Sequence, residues 1–274
     1  MDSHSHLTVE TFVNNKGPYR FIVDTGADRT VIADNVAAEL GLSAGDEVIV
    51  QGISSAIPAP SVRLHRLEVG PIAVNDLQAP VLKRNPLGAD GYLGLDVIDG
   101  KSVTFDFHRQ RIAVNTGTPV DPRDTSVIHD HVVRVKGSAG RLVAVNCRVD
   151  DARAYAFIDS GAEMSIANTR LFADMQKSGA KYFSDAVVPI MGVTGGSAGG
   201  RLTFVDHIRF GSVTFNNSFL LIADLRVFDL WGLADEPALL IGMNFLRATS
   251  SVTIDYSLKE VLFRLADLRV ASRA

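Results

Sequence analysis

The chain carries one short pattern twice, once in each half, and that repetition limits what it can fold into. From Phe21 to Ile32 it reads FIVDTGADRTVI, and from Ala156 to Ala167 it reads AFIDSGAEMSIA. Each copy is an apolar run ending in an acid, a hydroxyl and a glycine, then an alanine and a second acid. Asp24 and Asp159 therefore emerge from buried strands. Gly26 and Gly161 permit a sharp turn and the close approach of another backbone. Thr25 and Ser160 bring hydroxyls that both donate and accept.

Further landmarks recur in the same order. Gly52 in VQGISSA is matched by Gly192 in IMGVTGGSAGG, and Gly70 in LEVGPIAVNDL by Gly211 in IRFGSVTFNNS. Gly94 in DGYLGLDVI is matched by Gly242 in ALLIGMNFL, and VTFDFHRQRIAV by VTIDYSLKEVLF. The spacing between copies grows from 135 residues at the acids to 148 at the last glycines, so the second half is longer, mostly near Leu225–Pro237. Between the halves, residues 116–126 include Pro119 and Pro122 among Asp, Thr and Ser and read as a linker. This places one domain at 7–115 and a second at 127–266. A chain of 274 residues is long enough for both to hold a core.

Short runs of alternating Val, Ile, Phe and Thr, separated by Gly, Asn, Asp and Pro, predict strands almost throughout. Helical signals are few: DNVAAELGL after the first motif, NTRLFADMQKSG after the second, and single turns at LGLDVIDG and IGMNFLRA. The expected class is all-β with few short helices, built as two tandem β-barrel lobes.

If equivalent turns meet on a pseudo-twofold axis, Asp24 faces Asp159. Two carboxylates about 3 Å apart resist joint ionisation and share one proton. One then acts as acid and the other as base, enough to activate a water and protonate a carbonyl.

These motifs resemble the active-site signature of the retropepsins, the retroviral-type aspartic proteases, with DSGAEMSIA a slightly diverged second copy. Tyr92-Leu93-Gly94 and Leu240-Ile241-Gly242 resemble the hydrophobic-hydrophobic-glycine element that lies beneath each catalytic loop in aspartic proteases. The resemblance spans nearly the whole chain, as two retropepsin-like units in one polypeptide, bilobal as in pepsin-like enzymes. It implies an aspartic endopeptidase acting on extended polypeptide, with Asp24 and Asp159 as the dyad and no cofactor or metal. Thr25, Gly26, Ser160 and Gly161 would support the loops. Ala27, Asp28, Ala162 and Glu163 would line the substrate, although Asp28 and Glu163 read equally well as local turn or salt-bridge residues. The stretches Gly52–Ala56 and Gly192–Gly200 align with substrate-covering flaps, which brings Gly52, Ile53, Gly192 and Val193 to the substrate. The alternative is a catalytically silent peptide-binding module with the same cleft. Both halves lie in one chain, so a monomer is expected. Similar tandem proteins occur in bacteria.

The remaining features point elsewhere. A formal net charge of −4 gives no basic surface for nucleic acid, and no apolar run approaches the roughly 20 residues that span a bilayer. MDSHSHLT lacks a basic n-region and an apolar h-region, so the chain as given carries no signal peptide; the compartment stays open, periplasmic if a leader was removed. Cys147 in a strand-like run reads as an inert thiol. His129 and His131 form an H-x-H pair with no third ligand in view. GGSAGG lacks the lysine and the strand–helix setting of a phosphate loop. Asp106 and Asp255 read as hairpin residues, and Trp231 as a core residue or a cleft wall.

Overall fold

The computed structural model describes residues 7–115, 130–138 and 141–265. The expected linker at 116–126, His129, the N-terminal histidines and the last nine residues lie outside them.

In the first half, β1 (Thr8–Val13), β2 (Lys16–Val23), β3 (Val31–Ala33), β4 (Ala44–Gln51), β5 (Ala56–Val69), β6 (Ile72–Leu82) and β7 (Gly91–Leu93) form one sheet. Neighbours run β1-β2-β7-β3-β6-β5, and β5 pairs back onto β1, which closes a six-stranded barrel. The β1–β2 turn is made by Asn14 and Asn15, both at positive φ (50° and 62°), a pairing whose twist suits a tight hairpin. Helices α1 (Asp34–Glu39) and α2 (Arg84–Leu87) lie outside the barrel strands, and α3 (Leu95–Ile98) follows β7. The hairpin β8 (Ser102–Asp106) and β9 (Arg111–Asn115) then leaves the barrel.

The second half begins with β10 (Asp130–Arg134), β11 (Lys136–Ser138), β12 (Arg141–Val149), β13 (Ala152–Ile158) and β14 (Ile166–Ala167). Helix α4 (Thr169–Gln176) precedes β15 (Tyr182–Met191), β16 (Ser197–Phe210) and β17 (Val213–Ile222). Helix α5 (Arg226–Leu230), β18 (Ala238–Ile241), α6 (Met243–Leu246), β19 (Ser251–Asp255) and β20 (Glu260–Arg264) complete it. The order β12-β13-β18-β14-β17-β16, with β16 pairing back onto β12, makes a second ring. The second ring thus repeats the first strand for strand, with β10 and β11 additional to the second half, and the fold is mostly β, as its residue pattern predicts.

The closing hairpins belong to neither ring. β8 pairs antiparallel with β19, giving a five-stranded sheet β10-β20-β19-β8-β9 shared by both halves. Thr104 lies opposite Thr253 at the middle of that pairing, their hydroxyls 2.8 Å apart. The turns hold as local structure: Asp106 accepts from the Arg109 amide and Asp255 from the Leu258 amide.

Each lobe is filled by its inward-facing strand residues. Phe21, Phe105, Phe210 and Phe263 are fully buried, and each such side chain contributes about 1.5–3 kcal/mol of hydrophobic stabilisation. Cys147 is buried as well, and burial pushes its thiol pKa up to about 12, so it stays protonated and inert. Helix α5 stands between β17 and β18 as α2 stands between β6 and β7, and the extra length there falls mainly in the turn after α5. Asn168 caps α4 by accepting from the Leu171 amide at 2.9 Å. The same side chain donates to the carbonyls of Leu233 and Glu236, tying the inserted turn to the lobe. Trp231 packs edge-on against Phe157 with ring centroids 3.8 Å apart, in a second apolar cluster of the C-terminal lobe. Among the described residues, no helix is long and apolar enough to cross a membrane.

Candidate active site

Asp24 and Asp159 sit one residue past the ends of β2 and β13. Each of those strands runs parallel to the strand of its hydrophobic-hydrophobic-glycine element, β2 to β7 and β13 to β18. The pairing continues past the strand ends: the Asp24 amide donates to the Leu93 carbonyl at 2.9 Å, and the Asp159 amide to the Ile241 carbonyl at 3.0 Å. Two unrelated stretches of sequence thereby fix where each acid leaves the sheet.

The two loops meet. The Thr25 amide donates to Ser160 Oγ at 3.1 Å, and the Ser160 amide donates to Thr25 Oγ1 at 3.0 Å. Thr25 Oγ1 donates to the Ile158 carbonyl at 2.9 Å, and Ser160 Oγ to the Val23 carbonyl at 2.6 Å. All four bonds cross between lobes. Gly26 and Gly161 lie against the opposite acids: a methyl added to Gly26 would stand 2.7 Å from Cγ of Asp159, and one added to Gly161 2.6 Å from Cγ of Asp24. The glycines here serve close approach, since neither has a positive φ. Each acid is oriented by its own loop, the Gly26 amide donating to Asp24 Oδ1 at 2.8 Å and the Gly161 amide to Asp159 Oδ1 at 2.9 Å. Burial, and then the charge of Asp159, hold the Asp24 carboxyl well above its ordinary value, partly opposed by the Gly26 amide.

Beneath each loop lies a support that sequence reading missed. Thr30 donates its hydroxyl to Asp96 Oδ1 at 2.7 Å and its amide to both carboxylate oxygens. The Gly94 amide in turn donates to Thr30 Oγ1 at 3.1 Å. The second lobe has the same network with an amide in place of the acid: Ser165 Oγ donates to Asn244 Oδ1 at 2.7 Å, and the Gly242 amide to Ser165 Oγ at 2.9 Å. Gly94 and Gly242 are tight here, since a methyl on either would press within 3 Å of the loop backbone at Ala27–Arg29 or Ala162–Met164. The signal was available, in the polar residue two places after each glycine in LGLD and IGMN.

The hairpins β4–β5 and β15–β16 carry the expected flap stretches. The tips are shorter than predicted, Gly52–Ser55 and Gly192–Gly196, because β16 resumes at Ser197. The tips touch: Ser55 Oγ and Thr194 Oγ1 are 2.8 Å apart, and Gly52 packs on Thr194. Ile53 of the first tip and Ala162 beside the second acid both border the apolar cluster of the C-terminal lobe. Asp28 and Glu163 lie exposed on the loops. The Asp28 and Glu163 carbonyls receive the amides of Asp96 and Asn244 at 3.3 and 3.1 Å. Among the described residues, no group of three His, Cys, Asp or Glu is placed to hold a metal ion.

Two β-barrels that each contribute a D-[ST]-G loop to a shared interface define an acid-protease fold. A family model described as aspartyl protease matches the chain twice, over residues 9–97 and 145–245, which together exceed half of its length. The chain belongs to the aspartyl protease family, as two retropepsin-like units in one polypeptide. No curated protein gives a significant match.

Proposed function

We propose that the protein is an aspartic endopeptidase in which Asp24 and Asp159 together activate water. The observation that carries this reading is the reciprocal bracing of Thr25 and Ser160, which sets each carboxylate against the other loop's glycine. The pair shares one proton; placed on Asp24, it passes to the carbonyl oxygen of the scissile bond. Asp159 takes a proton from the water, whose oxygen bonds to the carbonyl carbon. The tetrahedral intermediate then collapses. The C–N bond breaks, Asp159 passes its proton to the leaving nitrogen, and Asp24 regains one from the gem-diol hydroxyl whose oxygen stays on carbon and becomes the new carboxyl's carbonyl. This route uses no cofactor.

The substrate would be an extended polypeptide whose backbone pairs with the flaps in strand fashion. Gly52, Ile53, Gly192 and Val193 would face it from above, and Ala27, Asp28, Ala162 and Glu163 from the loops. The lobes are taken to span 7–115 and 127–266, joined through 116–126, and one chain suffices for a complete site. The joined flap tips favour a second reading, a peptide-binding module whose cleft is closed to turnover.

The test is incubation with a mixed peptide library from pH 4 to 7.5, with and without pepstatin, beside Asp159→Asn. Cleavage that pepstatin and the substitution both abolish is the expected result. Peptide retention without cleavage at any pH would replace the protease reading with the binding module.

A further inference from the structure

The two flaps occupy equivalent places but are built from opposite materials. Counting pairs down from the tip, the first flap closes on Gln51–Ala56 and continues Val50–Ile57, Ile49–Pro58, Val48–Ala59 and Glu47–Pro60. The second closes on Met191–Ser197 and continues Ile190–Ala198, Pro189–Gly199, Val188–Gly200 and Val187–Arg201. Where the returning strand of the first flap has Pro58-Ala59-Pro60, that of the second has Gly199-Gly200-Arg201. Proline fixes φ and narrows the conformations a strand can visit, whereas glycine widens them. The tips differ in the same sense. Gly52-Ile53-Ser54-Ser55 holds one glycine, and Gly192-Val193-Thr194-Gly195-Gly196 holds three, with Gly195 at φ +81°.

The cross-lobe contacts differ in kind: Pro86 of α2 lies beside the second tip, where a methyl on Gly195 would stand 3.8 Å from its Cγ, while the first flap is held by a hydrogen bond. Arg226, the first residue of α5, donates from Nε to Gln51 Oε1 at 3.0 Å, so α5, the counterpart of α2 in the C-terminal lobe, grips the shoulder of the N-terminal flap. Met191 holds the place of Gln51 in the second flap, is 68% exposed, and has only a thioether to offer. That flap meets the first through the Ser55–Thr194 hydroxyl contact at its tip.

We infer that the flaps divide their labour: the N-terminal flap is a fixed wall held by Arg226, and the C-terminal flap is the gate. Its lifting breaks the Ser55–Thr194 contact and admits the polypeptide; this rests on the reading of the space beneath as a substrate cleft. Arg226 and Gln51 are then positioning residues, acting on the flap and not on the reacting atoms. The strand glycines also have a packing role, since a methyl on Gly199 would stand 2.8 Å from Val187 Cγ1 and one on Gly200 2.9 Å from Ile190 Cδ1. Val187 is β-branched and stiff at χ1 but 64% exposed, with solvent to turn into, so Gly199→Ala is a tolerable probe of stiffness.

Hydrogen–deuterium exchange on the full chain reads this without any substrate. In the wild type, amides of residues 186–200 should exchange about three-fold faster than those of 47–59, the contrast expected from Gly199 in the place of Pro58 and Gly200 in the place of Ala59, set against Pro189 on the outgoing strand of the second flap. Arg226→Ala should speed exchange in 47–57 by about three-fold, as for a surface hydrogen bond, and leave 186–200 and the α5 core unchanged. Gly199→Ala should slow 186–200 by about three-fold. Equal exchange in the two wild-type flaps, or an Arg226→Ala effect shared by both, would overturn the inference. Failure to cleave peptides would count against the protease and leave the exchange result standing.

Discussion

Thr25 and Ser160 hold one another reciprocally: each amide donates to the other's hydroxyl, and each hydroxyl donates to the carbonyl preceding the opposite acid. The contact joins residues 135 positions apart, and both side chains are buried. It sets the two carboxylates at matching heights in the interface, because the braced carbonyls, Val23 and Ile158, are the residues from which Asp24 and Asp159 leave their strands. The brace is thus both a tie between lobes and the ruler for the site.

Ser160→Ala should therefore damage fold and activity together. It leaves the Thr25 amide and the Val23 carbonyl buried without their partner, a loss of about 2–3 kcal/mol. Thr25→Ser keeps the hydroxyl and should stay within about 1 kcal/mol of wild type. Urea unfolding and the rate of peptide cleavage, taken on both variants, check the pair. An intact Ser160→Ala protein would mean that the shared sheet alone aligns the lobes.

Asp24 makes stability depend on pH in a stated direction. Its folded pKa is raised above the ordinary 3.8, by burial first and by the charge of Asp159 second. A carboxyl that holds its proton more tightly folded than unfolded stabilises the protein at acidic pH. That contribution is lost as pH rises from the ordinary Asp value through the folded pKa. Asp24→Asn removes the group, so its melting temperature should fall less between pH 4 and 7.5 than the wild type's, while cleavage is abolished. Parallel melting curves across that range would show that folding does not hold the Asp24 carboxyl above its ordinary value.

The parts of this architecture visible in the residues are those repeated locally. The two D-[ST]-G loops, the glycine elements at Gly94 and Gly242, the short helices after each loop and the hairpin turns at Asp106 and Asp255 all lie within a few residues of the signal that marks them. What was not legible is pairing over distance. Nothing near Thr104 says that it will face Thr253, so the closing hairpins read as parts of their own halves, yet they join in a shared sheet. The Thr30–Asp96 and Arg226–Gln51 contacts cross 66 and 175 residues and depend on how the barrels close. Hydrophobic periodicity reports which face a residue turns inward, and it carries no information about which distant polar group waits there.

Asp96 and Asn244 perform one task with different chemistry, which makes them a natural exchange. Burial raises the Asp96 pKa, and the Thr30 hydrogen bonds oppose that rise. Asp96→Asn keeps an oxygen for the Thr30 hydroxyl, as Asn244 does for Ser165, and removes a partly buried charge. Its stability at pH 7 should lie within about 1 kcal/mol of wild type, whereas Asp96→Ala leaves the Thr30 amide and hydroxyl unmet and should lose about 2–3 kcal/mol. Chemical denaturation of the two variants separates these outcomes. If Asp96→Asn is as damaging as Asp96→Ala, the negative charge itself supports the loop.

Gly26→Ala tests how closely the two loops must approach. The added methyl would stand 2.7 Å from Cγ of Asp159 and 2.9 Å from both of its oxygens, inside any ordinary contact distance. The Gly26 backbone has no positive φ, so the change introduces a clash without conformational strain. Asp159 cannot turn aside freely, because its Oδ1 accepts from the Gly161 and Ala162 amides. The loops must separate instead, which stretches the Thr25–Ser160 brace and costs about 1–3 kcal/mol, the range for overpacking a well-filled site. Cleavage should fall much further than stability, since displacing a reacting group by about 1 Å costs about a hundred-fold in rate. Gly161→Ala should reproduce the effect from the other side, against Asp24. Measuring kcat/KM and the urea midpoint for both variants decides the matter: activity retained by either would show that the carboxylates do not need the spacing these glycines allow.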